Sequence, residues 1–237
     1  MTPALLEFAA VSKAYGGLRP LRIAELQVTA GESVAILGVD QPSAEMFVNL
    51  ATGATLPETG EVRVFGRATS AISDSTDWLA TVDRFGIVSE RAVLLDALTP
   101  IQNLAMPFTL EIEPPPDHVR ARAEALAREV GLAEATWGSP VARLDALGWL
   151  RVRFGRAIAL DPAILLFEHA SAQLPRDEVT AIAAGIRGVA AARGIALVAL
   201  TADEPFATAV AERVLALEPA TGRLKSPRRG WFSRRSP

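Results

Sequence analysis

Three short stretches of this chain contain no polar interruption: VAIL at residues 34–37, AILLF at 163–167 and IALVAL at 195–200. A strand with one wet face alternates apolar and polar side chains; an unbroken apolar run needs cover on both faces. Residues 149–160 and 177–193 carry helical spacing and lie before and between the last two runs. Buried strands alternating with helices predict an α/β fold with a mainly parallel sheet. Alternation in LEFAAVSKAY and LRIAELQVTAGESVAILG adds an antiparallel β portion, with Gly31 and Glu32 at a turn, and GEVRVFG (60–66) supplies another short strand. Pro114, Pro115 and Pro116 break the chain before DHVRARAEALAREVGL, a helix expected to take Asp117 as N-cap and to end at Gly131. The alanine- and arginine-rich stretch from about 92 to 160 reads as a helical subdomain of a single domain spanning 1–220.

The chain has 237 residues, a formal net charge of -3 and no cysteine. There is thus no global basic field for nucleic acid, no disulfide framework and no thiolate metal site. No stretch approaches the roughly 18 uninterrupted apolar residues that a membrane-spanning helix needs. MTPALLEFAAVSKAYGG lacks the basic flank and long apolar centre of a signal peptide, so a soluble, cytoplasmic chain is expected. Residues 221–237 are the exception in composition: within them RLKSPRRGWFSRRSP (223–237) holds six basic residues around Trp231 and Phe232 and no acidic one. Such a tail is expected to be flexible, and each basic residue would contribute about 1 kcal/mol near an anionic lipid surface. A chain end with no role is the plainer reading of the same residues.

SVAILGVDQPSAEMFVNLATG (33–53) runs from apolar strand through Gly38 into a helical segment, the frame of a phosphate-binding loop. That motif needs glycines for close backbone approach, a lysine for the phosphates and a hydroxyl for magnesium. Counted from Gly38, those positions fall on Gln41, Ser43, Ala44 and Glu45, followed by Met46. A cation is lost and an anion appears near Asp40. At about 4 Å and an effective dielectric near 20, one unit charge against another is worth roughly 4 kcal/mol. Backbone amides at the helix start still favour an anion, and Glu45 is placed to fill that role as an internal cap.

VSKAYGG, GESVAILG, TLPETGEVRVFG, LLDALTPIQNLAMPF, RAIALDPAILLFE and AERVLAL occur in an order and spacing that resembles the ATP-binding cassette of ABC transporters, from Leu5 to about Pro219. The resemblance implies a P-loop NTPase-like cassette fold. It also assigns site positions. Tyr15 stands where the family stacks an aromatic ring on adenine. Glu90, in GIVSERAVLL, replaces the glutamine of the magnesium-sensing loop. Leu144, Asp145, Ala146, Leu147 and Gly148 replace the signature LSGGQ, whose small residues approach a γ-phosphate held by a second cassette. Glu168 takes the place of the magnesium-orienting aspartate, His169 that of the catalytic glutamate and Ala202 that of the switch histidine.

Every phosphate-facing position is thus altered while the scaffold between them is kept. The resemblance then implies a pseudo-ATPase with no cofactor, a scaffold or regulator on the inner face of the cell membrane. Its partners would be an integral-membrane transporter subunit, a second cassette, or both; nucleic acid is not expected. The region of LLDALTPIQNLAMPF would form the socket for the membrane subunit. The competing expectation is an ATP- and Mg²⁺-dependent transport ATPase with non-standard motifs. It draws on the family's usual activity, on Tyr15 and on the carboxylate of Glu168; His169 carries an imidazole able in principle to act as a general base.

Overall fold

The computed structural model describes residues 3–17 and 19–227. The predicted tail from 228 onward, with Trp231 and Phe232, lies outside the described residues. Along the chain, β1 (Ala4–Lys13) and β2 (Leu21–Thr29) form an antiparallel pair that leads into β3 (Ser33–Leu37) and helix α1 (Gln41–Ala51). Strands β4 (Thr59–Val64) and β5 (Arg67–Ala68), helix α2 (Ser75–Val82) and strand β6 (Phe85–Val88) follow. Helices α3 (Pro100–Ala105), α4 (Asp117–Glu129) and α5 (Ala146–Ile158) make up the middle of the chain. The remainder is β7 (Ile164–Glu168), α6 (Val179–Ala192), β8 (Ala196–Thr201), α7 (Glu204–Val210), β9 (Arg213–Glu218) and β10 (Arg223–Lys225).

The main sheet has the order β10-β9-β3-β8-β7-β6; every neighbouring pair is parallel except β10 against β9. The second sheet, β2-β1-β4-β5, is antiparallel throughout. The three unbroken apolar runs are the central strands β3, β7 and β8, and every residue in each is buried. Their two faces feed two cores. Ala35, Leu37, Leu165, Phe167, Leu197 and Ala199 join the helices of the middle and C-terminal regions. Val34, Ile36, Ile164, Leu166, Val198 and Leu200 face α1 and the antiparallel sheet. A period of two in the side chains explains why no polar residue is tolerated between them.

Some boundaries differ from the sequence expectation, each for a local reason. Helix α4 begins after Pro116, whose carbonyl already accepts from Val119 N (2.9 Å) and Arg120 N (2.8 Å); Asp117 therefore sits inside the first turn and makes no cap. Helix α5 starts at Ala146 rather than at 149 because Asp145 caps it. The folded region also passes the expected limit at 220. Glu218 O accepts from Thr221 N and Gly222 N, Gly222 takes φ +73°, and the chain turns back as β10 along β9.

Helix α1 is anchored by Phe47, whose ring stacks on Phe8 of β1 at 4.6 Å and 17°. Both rings are essentially without solvent exposure. Replacing Phe47 by alanine removes the helix's largest core contact. Phe47→Ala is expected to cost about 3–5 kcal/mol of stability in urea denaturation, with an unchanged slope.

Candidate functional site

Asp40 ends the loop after β3 in extended conformation, and its Oδ1 accepts from Ser43 N at 2.9 Å, the bond of an N-cap. The expected internal cap at Glu45 is therefore corrected. A short aspartate one residue before the helix reaches the amide, whereas Glu45 lies a turn further on with its side chain directed outward to Arg91. Gly38, at φ +83°, makes the sharp exit from β3. Ala44 is fully buried, and Met46 is partly buried against the core. Tyr15 and Ser43 share a 2.7 Å hydrogen bond between their hydroxyl oxygens, which ties the end of β1 to the first turn of α1. Tyr15, Gly38, Asp40 and Ser43 line a cleft of about 440 Å³ together with Leu217 and Pro219.

Beside this helix, β7 ends in Glu168, whose side chain has 0 % exposure. An ionised carboxylate in that position is costly unless paired. Its partner is Arg91, which no feature of the sequence had singled out. The Arg91 NH2 group donates to Glu168 Oε1 at 2.5 Å and Arg91 Nε to Glu168 Oε2 at 3.3 Å, a two-pronged contact, while NH1 donates to Glu45 Oε1 at 3.0 Å. One guanidinium thus bridges the first turns of α1 and the end of β7. Burial opposes the Arg91 charge, but the hydrogen bonds and charge of Glu168, with the charge of Glu45, hold its pKa above the ordinary arginine value. A compensating cation was the available signal: two carboxylates at adjacent element ends call for one, and Arg91 directly follows Glu90.

Glu45, Glu90, Arg91 and His169, with Gln41 and Ala172, surround an open hollow of about 680 Å³. Glu90 is held by Gln173 Nε2 at 2.8 Å. His169 turns the chain away from β7 with φ +46°, a conformation that costs a non-glycine residue roughly 1–3 kcal/mol. Its Nε2 is buried without a hydrogen-bond partner among the described residues. An imidazole so placed has no group to orient it as a base. Glu90, Glu168 and His169 also line a narrower cleft of about 380 Å³ against Leu144, Ala146, Trp149 and Arg153 of the helical region.

Residues 144–148 form the start of α5. Asp145 Oδ1 accepts from Gly148 N at 2.7 Å, and Leu147 packs on the helical core. Gly148 is buried, and a Cβ there would stand 3.0 Å from Leu144 Cβ, so packing within this turn accounts for the glycine. Ala202 follows β8, is exposed and lines none of these three clefts. The structure therefore gathers Glu45, Glu90, Glu168 and His169, sets Tyr15, Gly38 and Ser43 in a neighbouring cleft, and leaves Ala202 apart.

No protein-family model matches the chain. It is similar to CbiO1 from Clostridium perfringens, part of the ABC transporter complex CbiONQ, with a TM-score of 0.77 and 18% identity over 94% of this chain and 87% of that one. The fold is that of an ATP-binding cassette. By sequence the chain is 27% identical over 215 residues to the methionine import ATP-binding protein MetN of Brucella abortus (strain 2308), covering 90% of this chain and 57% of that protein. It is 29% identical over 211 residues to the lipoprotein-releasing system ATP-binding protein LolD of Maricaulis maris (strain MCS10), covering 87% and 91% respectively. It is a homologue of ABC-transporter ATP-binding subunits. The cassette spans a little over half the length of the MetN proteins, 57% in each of the Brucella matches.

A groove of about 400 Å³ opens on the other side of the Arg91 segment, lined by Ala92, Leu94, Met106, Pro107, Arg153 and Leu160 among others. Leu160 in its lining is 54% exposed, and Val93, between the lining residues Ala92 and Leu94, is 72% exposed.

Within the cassette, cutting the bridge leaves Glu168 buried and alone. Because the Arg91 side chain is 42% exposed, solvent moderates the loss, and Arg91→Ala is expected to destabilise by about 1–3 kcal/mol in urea denaturation. Adding Glu168→Gln to that variant should recover most of the loss. The double-mutant cycle measures how much of the effect belongs to the pair.

Proposed function

We propose that this cassette is a pseudo-ATPase, a subunit that neither holds nor hydrolyses ATP at its phosphate loop and acts as scaffold or regulator of a membrane transporter. The bridge of Arg91 to Glu45 and Glu168 carries the reading. On the cassette frame, Glu45 stands at the magnesium-binding hydroxyl and Glu168 at the magnesium-orienting carboxylate. A guanidinium between them supplies the positive charge that a metal–nucleotide would bring. Ala44 offers no lysine to the phosphates, and Asp40 occupies the helix N-terminus that would attract them. A triphosphate entering the hollow would meet Glu45 and Glu90 and would have to displace a paired arginine. Glu168 and His169 are then structural: the carboxylate anchors Arg91, and the imidazole occupies a turn.

The family of the relatives and the groove support a reading of partner and location. The chain would dock on an integral-membrane subunit, pair with a second cassette, or do both, at the cytoplasmic face of the membrane. The apolar lining at Leu94, Met106 and Leu160, beside Arg153 and Arg156, suits a short amphipathic helix presented by such a subunit. No helix among the described residues is long and apolar enough to cross a membrane.

Calorimetry with Mg-ATP tests the nucleotide half of the reading. No heat of binding is expected at micromolar concentrations. Micromolar affinity, with turnover lost in Glu168→Gln or His169→Ala, overturns the reading in favour of a working ATPase. The double variant Ala44→Lys, Glu45→Ser restores the missing lysine and hydroxyl and frees Arg91 from α1. It is expected to bind Mg-ATP measurably where the parent does not.

A further inference from the structure

The segment after β6 is tied to the molecule from two sides. Its first turn is closed by Ser89, whose Oγ accepts from Arg91 N (3.1 Å) and whose carbonyl accepts from Ala92 N (3.2 Å). That turn presents Arg91 to Glu45 and Glu168 on the core. From the opposite side, two arginines of α5 hold its backbone. Arg153 donates to the carbonyls of Glu90 and Ala92, both at 3.4 Å, and Arg156 to that of Val93 at 2.7 Å. Further along, the fully buried side chain of Asn103 accepts from Leu95 N at 2.9 Å and donates to Leu95 O at 3.1 Å. Three carbonyls in four residues therefore serve arginines of one helix, and the intervening side chain serves the core. The same residues, Ala92 and Leu94, form a wall of the apolar groove.

We propose that Arg91 is a permanent internal latch: it fastens residues 89–95 to the core and, together with Arg153 and Arg156, ties them to helix α5, so that this wall of the groove is held in one shape. The proposal rests on the reading that the hollow beside Arg91 takes no nucleotide. It goes beyond it by assigning the bridge a mechanical role. Here the cation that orders the wall belongs to the wall. Two of the three charged contacts of Arg91 go to a carboxylate without solvent, where salt screens least.

Hydrogen exchange read by mass spectrometry on the full chain, without nucleotide, tests the latch. The double variant Arg91→Met, Glu168→Gln removes the bridge while leaving no unpaired buried charge. Amides of residues 90–95 and of the first turns of α5 are expected to exchange about tenfold faster or more in it, while β3, β7 and β8 keep their protection. Unchanged exchange at 90–95 overturns the proposal; so does a loss of protection spread evenly over β3, β7 and β8, since Arg91 would then support the sheet and not the segment. Glu45→Gln, which cuts only the half-exposed arm, provides a second test should the double variant fail to fold. It is expected to speed exchange at 90–95 by about twofold to threefold, and no change there counts against the latch. Adding Mg-ATP to the parent chain separates the two readings. A nucleotide-dependent shift at 90–95 overturns the ATP-independent function, whereas the latch fails only on the variant comparison.

Discussion

Glu168 sets the terms for the centre of this molecule. A carboxylate at the end of a strand buried on both faces has no water to solvate it, and an unpaired charge there would not be kept. Arg91 answers it with two contacts on one side and reaches Glu45 with its remaining arm. Because Arg91 sits in the turn that leaves β6, satisfying one carboxylate also fixes where the chain goes next. The wall of the groove and the carbonyls taken by Arg153 and Arg156 are downstream of that choice.

The layering of the rest is what permits such a site. Strands β3, β7 and β8 are covered by helices on one face and by α1 with the antiparallel sheet on the other. Their carboxyl ends meet the N-terminus of α1 at one edge, the usual place for a binding crevice in an open parallel sheet. In this chain the side chains at that edge bond one another: Asp40 accepts from a helix amide, Tyr15 meets Ser43, and Arg91 lies between two glutamates.

Much of this architecture can be read from the sequence, because its cause is local. Unbroken apolar runs identify β3, β7 and β8, and alternation identifies β1 and β2. Strand β6 is four residues long and adjoins the site loop, too short for any period to stand out. Strand β9 mixes half-exposed with buried positions and escapes the same test. The sequence offered Ala44, Glu45, Glu90 and His169 as site positions, and the structure sets Glu45, Glu90 and His169 around one hollow, but no sequence feature pointed to Arg91. A motif reports the residues that a chemistry requires; an arginine 77 positions from its partner in sequence belongs to no motif, and only the fold brings it to Glu168. The helix boundary at Asp145 was missed because a signature-like stretch invites reading as a ligand loop, whereas its aspartate is an ordinary cap.

The arginine between Glu45 and Glu168 differs in one respect from anything that diffuses into a site. A free ligand occupies its place in proportion to its concentration, and the stability it confers rises and falls with supply. A tethered group has an effective concentration fixed by chain geometry alone. The strength of this bridge is therefore set when the chain folds, not by the supply of a diffusing ion.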